Sequence, residues 1–172
     1  MKKNIGLYLL LILGIATRFI PHPGNFTAIG AIALFSGLYL ERQQAFWLPI
    51  IIMFISDIFI GFYSPYIMAS VYIGFAITVL IGQYQKNKIR FGNVALGAIA
   101  GSVIFFLLTN TAVWLFGTMY AHNLSGLLES YYLALPFWRN QIIGDLFYSG
   151  VLIGGYETIK KMVPQVVVQE KK

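Results

Sequence analysis

The chain has 172 residues, 58% hydrophobic and 10% charged, with a net charge of +6 and a mean hydropathy of +0.74. Soluble domains carry roughly 25% charged residues, so the composition excludes an ordinary water-facing surface, a disordered chain, a coiled coil and a collagen-like repeat. Cysteine is absent, which excludes disulfides, thiol catalysis and thiolate metal sites.

A helix needs about 20 residues to cross a bilayer, so the chain has length for about six crossings with short loops. Met1-Lys2-Lys3 heads an apolar stretch that predicts a first span over 5–20, retained because no small-x-small cleavage site follows it. Pro21-His22-Pro23-Gly24-Asn25 breaks that helix, since proline cannot continue one and restricts the residue before it. The second apolar run, 27–40, is short for a span and suggests a tilted or half re-entrant segment. The third runs over 46–63, the fourth over 66–84, the fifth over 93–117 and the sixth over 137–159, before a lysine-bearing tail, 163–172. The expected fold is all-α: one six-transmembrane-helix bundle over 1–162, with no domain boundary or repeat.

Charge placement sets the orientation. With six spans and a cytoplasmic N-terminus, Lys2, Lys3, Arg42, Lys86, Lys88, Arg90, Lys160, Lys161, Lys171 and Lys172 lie inside, and only Arg18 and Arg139 lie outside. That is a strong positive-inside bias, and an odd number of spans would spoil it. Both termini are therefore expected in the cytoplasm, with the protein in a bacterial inner membrane. The basic surplus reads as membrane orientation and not as nucleic-acid binding.

A few polar residues interrupt the apolar runs. Asp57 is the only charge between Arg42 and Lys86, Asp145 lies inside the sixth span, and Asn110 lies inside the fifth. Ionisable groups at membrane depth are costly and face a cavity or a partner. Counted from the expected outer helix ends at 1.5 Å per residue, all three fall roughly 9 to 10 Å below the outer surface, in one layer. Asp57, Gly61 and Ser64 share a helix face, as do Asn110, Trp114 and Gly117, and Gln141, Asp145 and Tyr148. Above them lie Arg18, His22, Asn25, Tyr120, His122, Arg139 and Asn140.

This arrangement predicts an outward-opening, aromatic-lined pocket for a small polar or anionic molecule. Arg18 and Arg139 would hold the ligand, Asp57, Asn110 and Asp145 would orient it, and Trp114 would wall it; His22, Asn25 and Asn140 complete the candidate set. The same residues admit a structural reading, in which two arginines and two aspartates form two ion pairs that lock helices together. The tryptophans and tyrosines fit an aromatic belt as well as a ligand box. Gly30, Ala33 and Gly37 form a smooth stripe on the second helix, expected to meet another membrane helix, although packing within the chain is the competing reading.

No phosphate-loop, H-E-x-x-H or G-x-S-x-G motif is present, so neither catalytic residues, nor a metal site, nor a cofactor is expected. An intramembrane hydrolase built on His22, His122 and an aspartate has no local motif behind it.

The string Arg18-Phe19-Ile20-Pro21-His22-Pro23-Gly24-Asn25-Phe26-Thr27, with Ala31 to Gly37, Ser56-Asp57, Thr109-Asn110, Trp114, Tyr132 to Phe137, Asn140 and Gly144-Asp145, resembles an uncharacterised family of small bacterial multi-pass membrane proteins. That family is more distantly similar to the substrate-capturing S components of energy-coupling-factor (ECF) transporters. The resemblance implies six helices, a ligand near the outer face, and partners comprising a transmembrane coupling subunit and cytoplasmic ATPases. It names no ligand. A membrane scaffold or assembly factor whose polar layer is structural is the competing reading.

The orientation is directly testable, because natural absence of cysteine makes single-cysteine labelling unambiguous. A cysteine at Asn123 should react with an impermeant reagent added outside, and one at Asn87 should not; the reverse pattern would invert the topology.

Overall fold

Helix boundaries follow local chemistry. Asn25 takes the left-handed conformation (φ 65°) in the turn after Pro21 and Pro23, a region that asparagine enters more easily than most residues. Gly61 ends a helix at φ 112°, where a Cβ would be strained. Pro65 opens the next helix, where its missing N–H is no loss. The Asn123 side chain accepts from the Gly126 N–H at 2.9 Å and caps another helix start.

The computed structural model describes residues 2–162, with side chains from Tyr8 onward; the tail 163–172 expected to be cytoplasmic lies outside the described residues. Among these residues the protein is all-helical: α1 (Lys2–Phe19), α2 (Ile29–Tyr39), α3 (Arg42–Ile60), α4 (Pro65–Gln85), α5 (Phe91–Phe116), α6 (Leu124–Ser149), a π-helical segment (Gly150–Gly154) and α7 (Gly155–Met162). The last three run on without a break, so the described chain forms six helical rods.

The largest departure from expectation is the start of the sixth rod. Residues 124–136, read as part of an outer loop, are helical. Asn123 caps a run rich in leucine and other good helix formers, and Pro136 is carried inside the helix instead of opening it. The rod from 124 to 162 is about 58 Å long at 1.5 Å per residue, far more than the roughly 30 Å of hydrocarbon in a bilayer.

The short second helix is the centre of the structure. At eleven residues it is about 16 Å long. It packs against α1, α3, α4, α5 and α6, and every residue from Ile29 to Leu38 is buried. A helix apolar on all sides has no water-facing stripe to offer and belongs in a core. Ile29, Ile32 and Ala33 join Leu48, Ile52, Phe75 and Val79 in one apolar cluster. Leu34, Phe35 and Leu38 join Val94, Ala98 and Ile153 in a second.

This placement corrects the expected role of the small-residue stripe. Gly30, Ala33 and Gly37 meet this chain's own helices and offer no surface to another protein. A Cβ on Gly37 would strike the Val79 carbonyl of α4, one on Gly82 would strike the Leu34 carbonyl of α2, and one on Gly30 would strike the Asp145 carboxylate. Small residues thus let backbones approach closely inside the fold.

The outer surface is apolar: Trp47, Phe59, Tyr84 and Phe91 are 60 to 88% exposed. Patches of this kind mark surfaces that meet lipid or protein. Three helices, α3, α4 and α5, are long and apolar enough to cross a membrane. The first two supply shorter apolar helices, Tyr8–Phe19 and Ile29–Tyr39, and α6 is diluted by Arg139, Asn140, Gln141 and Asp145. Ala33 is fully buried, so Ala33→Leu should overpack the core and lower stability by about 1 to 3 kcal/mol. Thermal unfolding in lipid checks this, and a variant as stable as the parent would return the stripe to the surface.

Candidate functional site

The R-x-x-P-H-P-x-N-F string builds one end of the bundle. Thr17 donates to the Gly14 carbonyl at 3.0 Å and accepts from the Ala28 N–H at 3.2 Å, pinning the start of α2 to the end of α1. One residue on, the Arg18 guanidinium reaches α3. Its Nη1 lies 2.6 Å from Asp57 Oδ1 and 2.5 Å from Ser56 Oγ, and Ser56 passes its own proton to the Ile52 carbonyl at 2.7 Å. Tyr72 of α4 donates to the other Asp57 oxygen at 3.1 Å. Asp57 is 1% exposed and Arg18 15%, so this is a buried ion pair joining three helices.

After the prolines the connection docks on α6. Asn140 donates to the Gly24 carbonyl at 3.2 Å, a Cβ on Gly24 would meet the Phe137 ring, and Phe26 packs against Tyr148 with ring centroids 5.6 Å apart. His22 turns its Nδ1 to the Pro23 carbonyl at 2.7 Å.

Asp145 of α6 is buried and accepts from Ser102 Oγ of α5 at 2.6 Å. The second ion pair admitted by the sequence, Arg139 with Asp145, does not form: Arg139 is exposed and Asp145 has no basic group within ion-pairing distance among the described residues. Six residues of helix set the two about 9 Å apart along the axis and about 120° apart around it.

Between these groups lies a cavity of about 270 Å³. Arg18, His22, Asn25, Thr27, Tyr63, Gln141 and Asp145 supply its polar lining, and Ile29, Met53, Ile60, Val71, Phe75 and Phe105 its apolar walls. Gly30 forms part of the floor, where its missing side chain lets the Asp145 carboxylate pack against the α2 backbone. The cavity draws on α1, α2, α3, α4, α5 and α6 and on the connection after α1, at the end of the bundle where α1 and α3 stop and α2 and α4 begin.

The candidate residues divide. Arg18, His22, Asn25 and Asp145 line the cavity, and Asp57 stands behind Arg18. Asn110 does not reach it: its Nδ2 donates to its own helix at the Phe106 carbonyl, 2.8 Å away. It lines a smaller hollow of about 170 Å³ with Trp138, which shares Asn25 and Gln141 with the main cavity; the buried Trp138 Nε1 has no hydrogen-bond partner there. Trp114 is no wall either, since its Nε1 donates to the Ala121 carbonyl at 2.9 Å and its ring meets His122 edge-on. The expected single polar layer is therefore staggered. Asp145 meets Ser102, eight residues along α5 from Asn110, or about 12 Å, because the sixth rod begins thirteen residues earlier than expected.

Gln141, Ser102, Tyr72 and Tyr63 escaped the sequence reading as site residues. Gln141 carried a signal, being four residues before Asp145 on the same helix face. Ser102 carried no signal, since a serine in an apolar helix ordinarily bonds its own backbone, and Tyr72 is one of eleven tyrosines.

Fold and site together define an all-helical protein with membrane-type helices and a polar cavity sunk into one end of the bundle. The chain belongs to a family of unknown function, DUF6580, whose model matches residues 1–166. No curated protein and no solved structure is significantly similar to it.

Breaking the Arg18–Asp57 pair on one side leaves an uncompensated buried charge. Arg18→Met should cost about 3 to 5 kcal/mol of stability, whereas Arg18→Met combined with Asp57→Leu should recover most of it. Thermal unfolding of the three proteins in lipid measures the difference; equal losses in single and double variants would show that the pair is not what holds these helices.

Proposed function

We propose that the protein is a membrane substrate-binding subunit for uptake of a small polar molecule, comparable in role to the S components of ECF transporters. In this reading all six rods span a bacterial inner membrane, both termini are cytoplasmic, and the cavity opens outward. The observation that carries the reading is the cavity itself: polar groups from several elements converge at one end of the bundle among apolar walls, with the buried Asp145 carboxylate set against Gly30. Structural locking explains the Arg18–Asp57–Tyr72 contacts and the Ser102–Asp145 bond; it gives no reason for a carboxylate to be buried at the edge of a cavity without a cation beside it. A small binding subunit of this kind needs a transmembrane coupling subunit and cytoplasmic ATPases, since the chain has no phosphate loop of its own.

A second reading keeps one observation on its side. The Arg18 ion pair joins α1, α3 and α4, as a scaffold or assembly factor with a structural polar network would require.

Native mass spectrometry of the chain released from its own membranes separates the two. A binding subunit should carry a stoichiometric small molecule that leaves on mild activation. A chain that is always bare, and whose melting temperature no polar metabolite extract raises, would favour the scaffold.

A further inference from the structure

We propose that the molecule taken by the cavity is a small organic cation, and that the Asp145 carboxylate is its counter-ion. The inference rests on the binding reading above and deepens it. It follows from the charges that face the cavity. Arg18 and Asp57 lie 2.6 Å apart and neutralise each other, so the one guanidinium at the site is already committed. Arg139, the other outer cation expected to attract an anion, is exposed on α6 and does not line the cavity. His22 does line it, but its Nδ1 is engaged by the Pro23 carbonyl, and it makes no ion pair with Asp145.

Asp145 is what remains. It is 5% exposed, lines the cavity, and accepts hydrogen bonds from the Ser102 hydroxyl and the Gln141 amide without any cation beside it among the described residues. A carboxylate in such surroundings is costly unless it faces a partner. An anion placed here would meet the Asp145 carboxylate and a guanidinium whose charge Asp57 already balances. A neutral molecule would leave the charge as it is. A cation completes the site.

The surroundings suit an organic cation better than a bare metal ion. No three His, Cys, Asp or Glu gather anywhere among the described residues, so a divalent ion would find too few strong ligands. Phe75 and Phe105 lie with ring centroids 4.9 Å apart and both line the cavity, and aromatic faces attract ammonium and guanidinium groups. Asn25 and Gln141 add side-chain amides to the lining, a residue type whose oxygen can accept hydrogen bonds from such a group.

The experiment divides a polar metabolite extract by ion exchange into cationic, neutral and anionic fractions. Each is added to the full chain in phosphatidylcholine nanodiscs, and thermal unfolding is followed for the parent and for Asp145→Asn. The cationic fraction should raise the melting temperature of the parent, since binding stabilises the folded state by mass action. The apparent affinity of Asp145→Asn should be at least about ten-fold weaker, the loss typical of a hydrogen bond to a charged group. Arg139→Gln, which removes an exposed cation that does not line the cavity, should retain the response. If the Asp145→Asn variant does not fold, the responses of the parent and of Arg139→Gln to the three fractions still decide the sign of the ligand's charge. Stabilisation by the neutral or anionic fraction alone overturns the cation assignment and leaves the binding reading standing. No response to any fraction removes both.

Discussion

A polar group held away from water has to find its partner inside the protein, and the arrangement of this chain follows from that requirement. Its backbone meets it by being helical over most of the described residues. The side chains meet it by cross-links between rods: Thr17 to the start of α2, Arg18 to α3, Tyr72 to Asp57, Ser102 to Asp145 and Asn140 to the Gly24 carbonyl. These links converge on one end of the bundle, around the stretch from Thr17 to Ala28, and the cavity is the space they leave.

The two carboxylates show how environment separates residues of one chemical type. Asp57 faces a guanidinium, a serine hydroxyl lies beside that same guanidinium, and a tyrosine completes the set; its oxygens are all spoken for. Asp145 faces a serine, the Gln141 amide and the bare backbone of Gly30. The first carboxylate has a cation beside it and the second has none among the described residues, and it is the second that lines the cavity.

The breaks in the fold were legible in the sequence because proline and glycine act within a residue or two: Pro21, Pro23, Gly61 and Pro65 all stand where helices stop or start. Pro136 misled for the opposite reason, since here the helix runs through it. At the site, charge was the reliable guide. Arg18, Asp57 and Asp145 stood out because each interrupts an apolar run, and each is buried or nearly so. Asn110 and Trp114 were misplaced because counting along a helix gives height and says nothing about direction around the axis. Relative to Ser102, which does face Asp145, they are turned by about 80° and 120°. The central place of α2 was hidden as well: its eleven residues look like a deficient span, and only the other five rods show that it is enclosed on all sides.

That enclosure has a consequence for how the protein is made. Synthesis delivers α2 second, yet the partners that bury it on most sides, α3, α4, α5 and α6, all emerge later. Until they arrive, a segment of about 16 Å has neither the length to stay in hydrocarbon by itself nor a surface to rest against. Its insertion is therefore an event of assembly, completed only when the last rod closes over Gly30 and Phe35. A truncation after α5 would lose more than one helix, because the second would be left without its lid.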